Sequence, residues 1–145
     1  MELKRATTED VDTYLALENS ASGSRLYSKT EDKDEALEEL KNSVVYFIQQ
    51  NGQTVGHIAY EMKGADHAYL SSIVVDPKYQ GQGLAKEALE KILEELKKVE
   101  LIDVVVHPEN IKSLALCQSF GFKITDRYED YFGDGEPRVK LVLMK

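Results

Sequence analysis

The sequence predicts one α/β domain, built on a mixed and mostly antiparallel sheet of about seven strands with helices on both faces. Three stretches carry that expectation. Ser43–Gln50 and Gln53–Met62 are β-rich runs on either side of Asn51-Gly52, the dipeptide of a two-residue type I′ hairpin. Between Ile73 and Leu96 the pattern changes period: the β-branched run Ile73-Val74-Val75 stops at Asp76-Pro77. Leu84, Ala85, Ala88, Leu89, Ile92, Leu93 and Leu96 then recur at three- and four-residue steps, one face of an amphipathic helix. Leu101–Val106 (LIDVVV) has the look of a strand apolar on both faces, as in the interior of a sheet.

In chain order, Leu3–Ala6 predicts a first strand, and Thr7-Thr8-Glu9-Asp10 an N-cap with acids in the first turn of a short helix. That helix carries Val11, Tyr14 and Leu15, with Leu17 or Glu18 closing it. Asn19 to Thr30 is a polar, Ser-rich loop with Leu26 and Tyr27 as its anchors. A second helix starts at Asp32, where Asp32-x-x-Glu35 imitates a capping box, and buries Ala36, Leu37 and Leu40. Lys63–Asp66 makes a turn into Ala68–Val75, giving a three-stranded antiparallel meander. Lys97-Lys98 suits the C-terminal dipole of the central helix. After Leu101–Val106, Asn110 caps a helix that runs through Phe120 to Gly121 at C′. A hairpin of Lys123–Phe132 and Arg138–Met144 around Gly133-Asp134-Gly135 closes the chain.

At 145 residues, with 42% hydrophobic and 30% charged residues, the chain is long enough for one sizeable core. No apolar run is long enough to span a membrane, and MELKRATTED lacks the apolar centre of a signal peptide, so the expectation is a cytoplasmic protein with no membrane association. Cys117 is the single cysteine, and no Cys/His cluster has the spacing of a zinc site, so no metal is expected. A net charge of −8 repels phosphate backbones, which argues against nucleic acid and suits a cationic partner.

The chemistry concentrates at the turn Gln80-Gly81-Gln82-Gly83-Leu84-Ala85 between strand and helix. Two glycines let the backbone approach a bulky ligand, and the free N–H groups and dipole of the helix N-terminus favour a phosphate there. The turn fits neither GxxxxGK with Ser or Thr nor GxGxxG, which would need a third Gly at Lys86. Gln80-x-x-Gly83-x-Ala85 instead resembles the acetyl-coenzyme A pyrophosphate turn of the GNAT family of N-acetyltransferases, Q/R-x-x-G-x-G/A. That family carries a second signature after its fifth strand, N-x-x-A/S-x-x-L-Y-x-x-x-G-F. Here Asn110, Ser113, Leu116, Gly121 and Phe122 fall on pattern.

The resemblance implies acetyl transfer from acetyl-coenzyme A to a primary amine by direct attack in a ternary complex, by a monomer or homodimer. It implies that the fourth and fifth strands splay and that main-chain groups of Ile73, Val74 and Val75 pair with the pantetheine arm. Backbone amides of Gln82 to Ala85, with Gly81 and Lys86 beside them, would hold the pyrophosphate, Asn110 would bond the pantetheine, and Ser113 completes that signature. Lys78, Lys86 and Lys112 are near enough in sequence to offset phosphate charge. The family's usual oxyanion donor is a main-chain N–H at a strand bulge, here that of Val74 or Val75.

One position departs from the pattern: many relatives place a tyrosine within reach of the coenzyme sulfur where this chain has Cys117. Three roles stay open for it: a packing residue, a proton donor, or an acetylated nucleophile. For the base, Tyr69 and Ser71 are expected on one face of the fourth strand and Ser72 on the other, His57 and Glu61 share a face of the third, and His107 ends the fifth. His67, beside a turn, is expected to be exposed. Arg127–Phe132 resembles the R-x-x-N-Y-Y stretch of ribosomal-protein N-terminal alanine acetyltransferases, but those enzymes pair a fifth-strand glutamate with the helix tyrosine, where this chain has Val105 and Cys117. The acceptor is therefore open among small amines, polyamines, amino acids, antibiotics and protein N-termini. A coenzyme-binding module of the same fold without turnover is the alternative, whereas a nucleotide-binding α/β protein is disfavoured because the turn follows the third strand of a meander.

Overall fold

A computed structural model describes residues 1–20 and 32–145. The elements follow the predicted order: β1 (Glu2–Arg5), α1 (Val11–Ser20), α2 (Lys33–Asn42), β2 (Val44–Gln50), β3 (Gln53–Gly64), β4 (His67–Val75), α3 (Leu84–Glu95), β5 (Leu101–Val106), α4 (Ile111–Ser119), β6 (Lys123–Tyr128) and β7 (Arg138–Met144). They form one seven-stranded sheet, β1-β2-β3-β4-β5-β7-β6. Every neighbouring pair is antiparallel except β4 and β5.

Local chemistry explains most boundaries. Thr7 and Asp10 form a reciprocal capping box on a 3-10 turn that leads into α1. Asn19 and Ser20, expected in the loop, extend α1 instead; the rest of that loop, with Leu26 and Tyr27, lies outside the described residues. The Asp32 side chain accepts from the Glu35 amide, and Asn51 and Gly52 both have positive φ, as a type I′ turn requires. The last hairpin is shorter than expected. β6 ends at Tyr128, because Asp130, Gly133, Asp134 and Gly135 fold the segment between the strands on itself: Asp130 Oδ1 accepts from the Gly135 amide.

Two apolar layers sandwich the sheet. On one face α1 and α2 bury Val11, Tyr14, Leu17, Ala36 and Leu40 against Val45, Phe47 and Ala59. On the other, Leu84, Ala88, Leu89 and Ile92 of α3 and Cys117 of α4 pack on Ile48, Ile58, Leu70, Ile102 and Val104. β5 is less apolar than expected: Asp103 is buried, and its carboxylate is held by His67 Nε2 at 2.8 Å and Lys140 Nζ at 3.8 Å. His67 is thereby a paired, half-buried residue and not a free surface histidine.

Two irregularities set the geometry of β4. At Ser71 the strand carries an extra residue, since Ala59 pairs with Ser72 and Tyr60 with Leu70. The bulge resets the alternation, so Ser72 shares a face with Tyr69, His57 and Val74, and the expected grouping of Tyr69 with Ser71 does not hold. It also lies three residues before Val74, where the oxyanion-donating bulge was expected. Further along, Gly56 faces Val74 and Val75 so closely that a Cβ on it would sit 2.3 Å from Val74 O.

Candidate active site

β4 and β5 run side by side from His67–Leu101 to Leu70–Val104, and among the described residues their pairing stops there. The strands part, and a cleft of about 350 Å³ opens between them. The Asp76 amide donates to Val55 O at 2.8 Å, which fixes the phase of the ladder. Main-chain groups of Val74 therefore turn towards β3, and those of Ile73 and Val75 face the gap. Of the three residues expected to offer main-chain pairing, Ile73 and Val75 are the two whose main-chain groups face the gap.

The cleft continues over the turn into α3, lined there by Tyr79, Gln80, Gly81, Gly83, Leu84, Ala85 and Lys86. Gly83 is the N-cap residue with φ 78°, and no side chain of the described residues caps it, so the amides of the first turn keep their donors. Gly81 also has positive φ, and a Cβ on either glycine would meet open space. Glycine is needed at Gly83 for its left-handed backbone and for the room it leaves above the helix end. The Gln80 side chain braces the turn, its Nε2 donating to Val75 O at 2.9 Å and so tying the turn to the strand end. Gln82 is exposed and its side chain does not line the cleft; Lys86 and Lys112 line it and Lys78 does not.

On the β5 side Asn110 caps α4, its Oδ1 accepting from the Ser113 amide at 3.3 Å, and both residues line the cleft. Cys117 lines it too, but is 2% exposed, and burial pushes its thiol up to about 11. A thiol that reluctant to ionise is a poor nucleophile and a weaker acid than a leaving thiol of ordinary pKa near 8.5. Packing is the role its surroundings favour. Tyr69 lies outside the cleft lining, with Lys63 Nζ 5.7 Å from its ring centre, and burial raises its phenol pKa well above the ordinary value.

His107 is buried and committed: the Glu109 amide donates to its Nδ1 at 3.0 Å, which leaves Nε2 to donate to Glu136 at 2.8 Å. His107, Glu109 and Glu136 form a three-residue group with metal-ligating atoms within 4.8 Å of one another. Nε2 fastens the segment before β7 to the end of β5 and Nδ1 accepts within the loop after β5, so hydrogen bonding with protein groups accounts for the arrangement.

The far side of the cleft contains residues that sequence reading passed over. Glu18 of α1, Phe132 and Arg138 line it. Arg138 is 1% exposed, lies with its guanidinium carbon 5.1 Å from the Phe132 ring centre and donates to Asp134 at 2.9 Å. Glu18 is 5% exposed, with Oε1 3.3 Å from Nε2 of the fully buried His57. A signal for Glu18 was present: it stands four residues after Tyr14 and seven after Val11, on the buried stripe of α1.

A splayed strand pair running into a glycine-opened helix N-terminus defines an acyl-coenzyme A binding protein of the acetyltransferase class. The model of the Acetyltransferase (GNAT) family matches residues 12–122, and the chain belongs to that family, whose members are acetyl-coenzyme A-dependent acyltransferases. It is 32% identical over 99 residues to the ribosomal protein bS18-alanine N-acetyltransferase of Escherichia coli strain K12, a match covering 67% of this chain and 66% of that relative. The match thus spans just under two thirds of the relative's length. Among solved structures, a ribosomal-protein-alanine N-acetyltransferase from Brucella melitensis superposes with a TM-score of 0.84 at 21% identity over 100% of both chains. A GNAT family acetyltransferase from Elizabethkingia anophelis with acetyl-CoA bound gives 0.71 at 19% identity, over 79% of this chain and 84% of that one. These likenesses agree with the expected fold and with acetyl-coenzyme A as co-substrate. No helix among the described residues is long and apolar enough to cross a membrane.

Proposed function

We propose that this protein is an N-acetyltransferase that binds acetyl-coenzyme A and a primary amine together in the β4–β5 cleft. The observation that carries the reading is the continuity of the open β4 edge with the uncapped start of α3. Main-chain groups of Ile73 and Val75 offer an extended arm the pairing that β5 withdraws. Amides of Gly83, Leu84, Ala85 and Lys86, with the Lys86 and Lys112 ammonium groups, suit a pyrophosphate. The bound coenzyme would supply an activated acetyl thioester, and the protein positions an amine beside it.

The acceptor is proposed to be a cation, because Glu18 places a carboxylate in the cleft wall and the chain carries a net charge of −8. The activity for which the Escherichia coli relative is named makes a protein N-terminus beginning with alanine one acceptor to test. Val105 and Cys117 stand where the resembled alanine acetyltransferases carry acid/base side chains, and this favours keeping a second reading, a coenzyme-binding module without turnover. Incubation with acetyl-coenzyme A and a panel of alkylamines, amino acids and alanine-initiated peptides separates them. An acetyltransferase releases free thiol and acetylated amine with at least one acceptor; a binding module retains coenzyme and releases none.

A further inference from the structure

The cleft wall facing α1 contains a buried polar group that coenzyme binding leaves unused. Glu18, His57 and Ser72 come from α1, β3 and β4. Ser72 Oγ lies 3.0 Å from His57 Nδ1, and Glu18 Oε1 lies 3.3 Å from His57 Nε2. The hydroxyl and the carboxylate line the cleft, and the fully buried imidazole stands behind them. Although the carboxylate is that close, Nε2 makes no hydrogen bond with the described residues. An open ring nitrogen at 0% exposure is costly, and the neighbours on the same face, Phe47, Ala59 and Val74, are apolar. Packing alone would be better served by another apolar side chain here.

Resting on the reading that an amine is acetylated in this cleft, we propose that Ser72, His57 and Glu18 are its proton acceptor. The ammonium group docks beside the Glu18 carboxylate and gives a proton to Ser72 Oγ while that hydroxyl passes its own proton to His57 Nδ1. The ring thereby becomes an imidazolium whose Nε2–H faces Glu18 Oε1. Charge is conserved: ammonium plus neutral imidazole become neutral amine plus imidazolium. The ring returns its proton to solvent after product leaves, and the second N–H proton given up by the amine balances the released thiolate. The other groups packed on the ring are Tyr14 of α1, whose ring centre is 4.9 Å away and whose hydroxyl donates to Glu39 of α2, and the apolar Phe47 of β2. An alkylamine of pKa near 10.4 is neutral in only about one molecule in 2,500 at pH 7, against more than about a tenth for an α-amino group near 7.8, so the relay matters most for the former.

The test measures kcat/KM for a short alkyl diamine and for an alanine-initiated peptide as a function of pH, in wild type, Glu18→Gln, His57→Gln and Ser72→Ala, with coenzyme affinity read by calorimetry. Each variant is expected to lose about 10²-fold with the diamine at pH 7 and less with the peptide. Coenzyme affinity should be unchanged, and the deficit should close as pH rises towards 10 and the amine deprotonates in solution. A deficit equal for both amines and constant with pH, or no deficit in Ser72→Ala and Glu18→Gln, overturns the relay. If His57→Gln fails to fold, those two cleft-wall variants decide. A wild type that acetylates no amine defeats the transferase reading itself, an outcome distinct from an active wild type with unaltered variants.

Discussion

The two walls of the cleft are built on different principles. The wall proposed for the coenzyme is main chain: the open edge of β4 and the amides at the start of α3 come from the contiguous stretch Ile73–Lys86, and the Gln80 side chain holds the backbone in place on Val75 O. The wall proposed for the acceptor is side chain: Glu18, Ser72, Phe132 and Arg138, with His57 behind, come from α1, β3, β4, the segment before β7 and β7 itself. A backbone site tolerates exchange of side chains and fails when a Cβ intrudes, whereas a side-chain site can change its chemistry by single substitutions without disturbing coenzyme binding. On the proposed function, specificity would reside in the wall whose residues are scattered.

That contrast can be pressed at three points. The largest effect is expected at Gly56, where a new Cβ would meet Val74 O at 2.3 Å and Val75 Cα at 3.1 Å and displace the strand end that carries the coenzyme edge. Gly56→Ala should cost about 3 kcal/mol in denaturant unfolding and weaken coenzyme binding along with it; a neutral substitution would mean that the β4 edge is not held from behind.

Cys117 comes next. Cys117→Ala should cost about 1–2 kcal/mol and leave kcat within a few-fold of wild type, since a packing residue has no part in proton transfer. Its thiol also predicts a pH dependence. Burial raises it from about 9 to about 11, so between those values the unfolded chain loses the proton that the folded one keeps. Fewer protons bound by the unfolded state make stability fall as pH rises through this window, by about 2–3 kcal/mol in full. The alanine variant should lack that component of the decline. A hundredfold loss of kcat in folded Cys117→Ala that still binds coenzyme would return the proton-donor role to this thiol.

The smallest effect concerns charge. Asp32, Asp34, Glu35 and Glu38 are exposed on or beside α2, but none lines the cleft, and Asp32 and Glu38 also serve as acceptors for the Glu35 amide and the Asn42 side chain. Raising ionic strength from low to physiological should lower kcat/KM for a cationic amine by about two- to fivefold. A flat response would make these acids a solvated helix face and leave Glu18 as the local source of attraction.

The same contrast explains what could be read from the sequence. The hairpin at Asn51-Gly52, the switch of period after Val75, the glycine turn and the Asn110 cap are local signals, and each lies where its residues placed it. The wall proposed for the coenzyme was legible as local structure, because a strand, two glycines and a helix start follow one another in the sequence. The Ser71 bulge was not, because an extra residue in one strand is defined by its partner's register; missing it put Tyr69 with Ser71 and hid that Ser72 meets His57. Glu18 was passed over as the close of a short helix, although helical spacing from Tyr14 placed it on the buried face. Phe132 reaches the cleft from the nine-residue connection before β7 and Arg138 from the start of β7, next to the clasp between His107 and Glu136, a contact between segments distant in sequence.

The central claim is that coenzyme A is held by backbone at the start of α3, and the direct measurement is a calorimetric titration of coenzyme A into folded Gly83→Glu beside wild type. Gly83 has φ 78° and open space above it, so a glutamate there brings bulk and negative charge to the place assigned to the pyrophosphate. The account predicts saturable binding to wild type and a loss of at least about a hundredfold in the variant, nearly 3 kcal/mol. Equal affinity in the two proteins would contradict it.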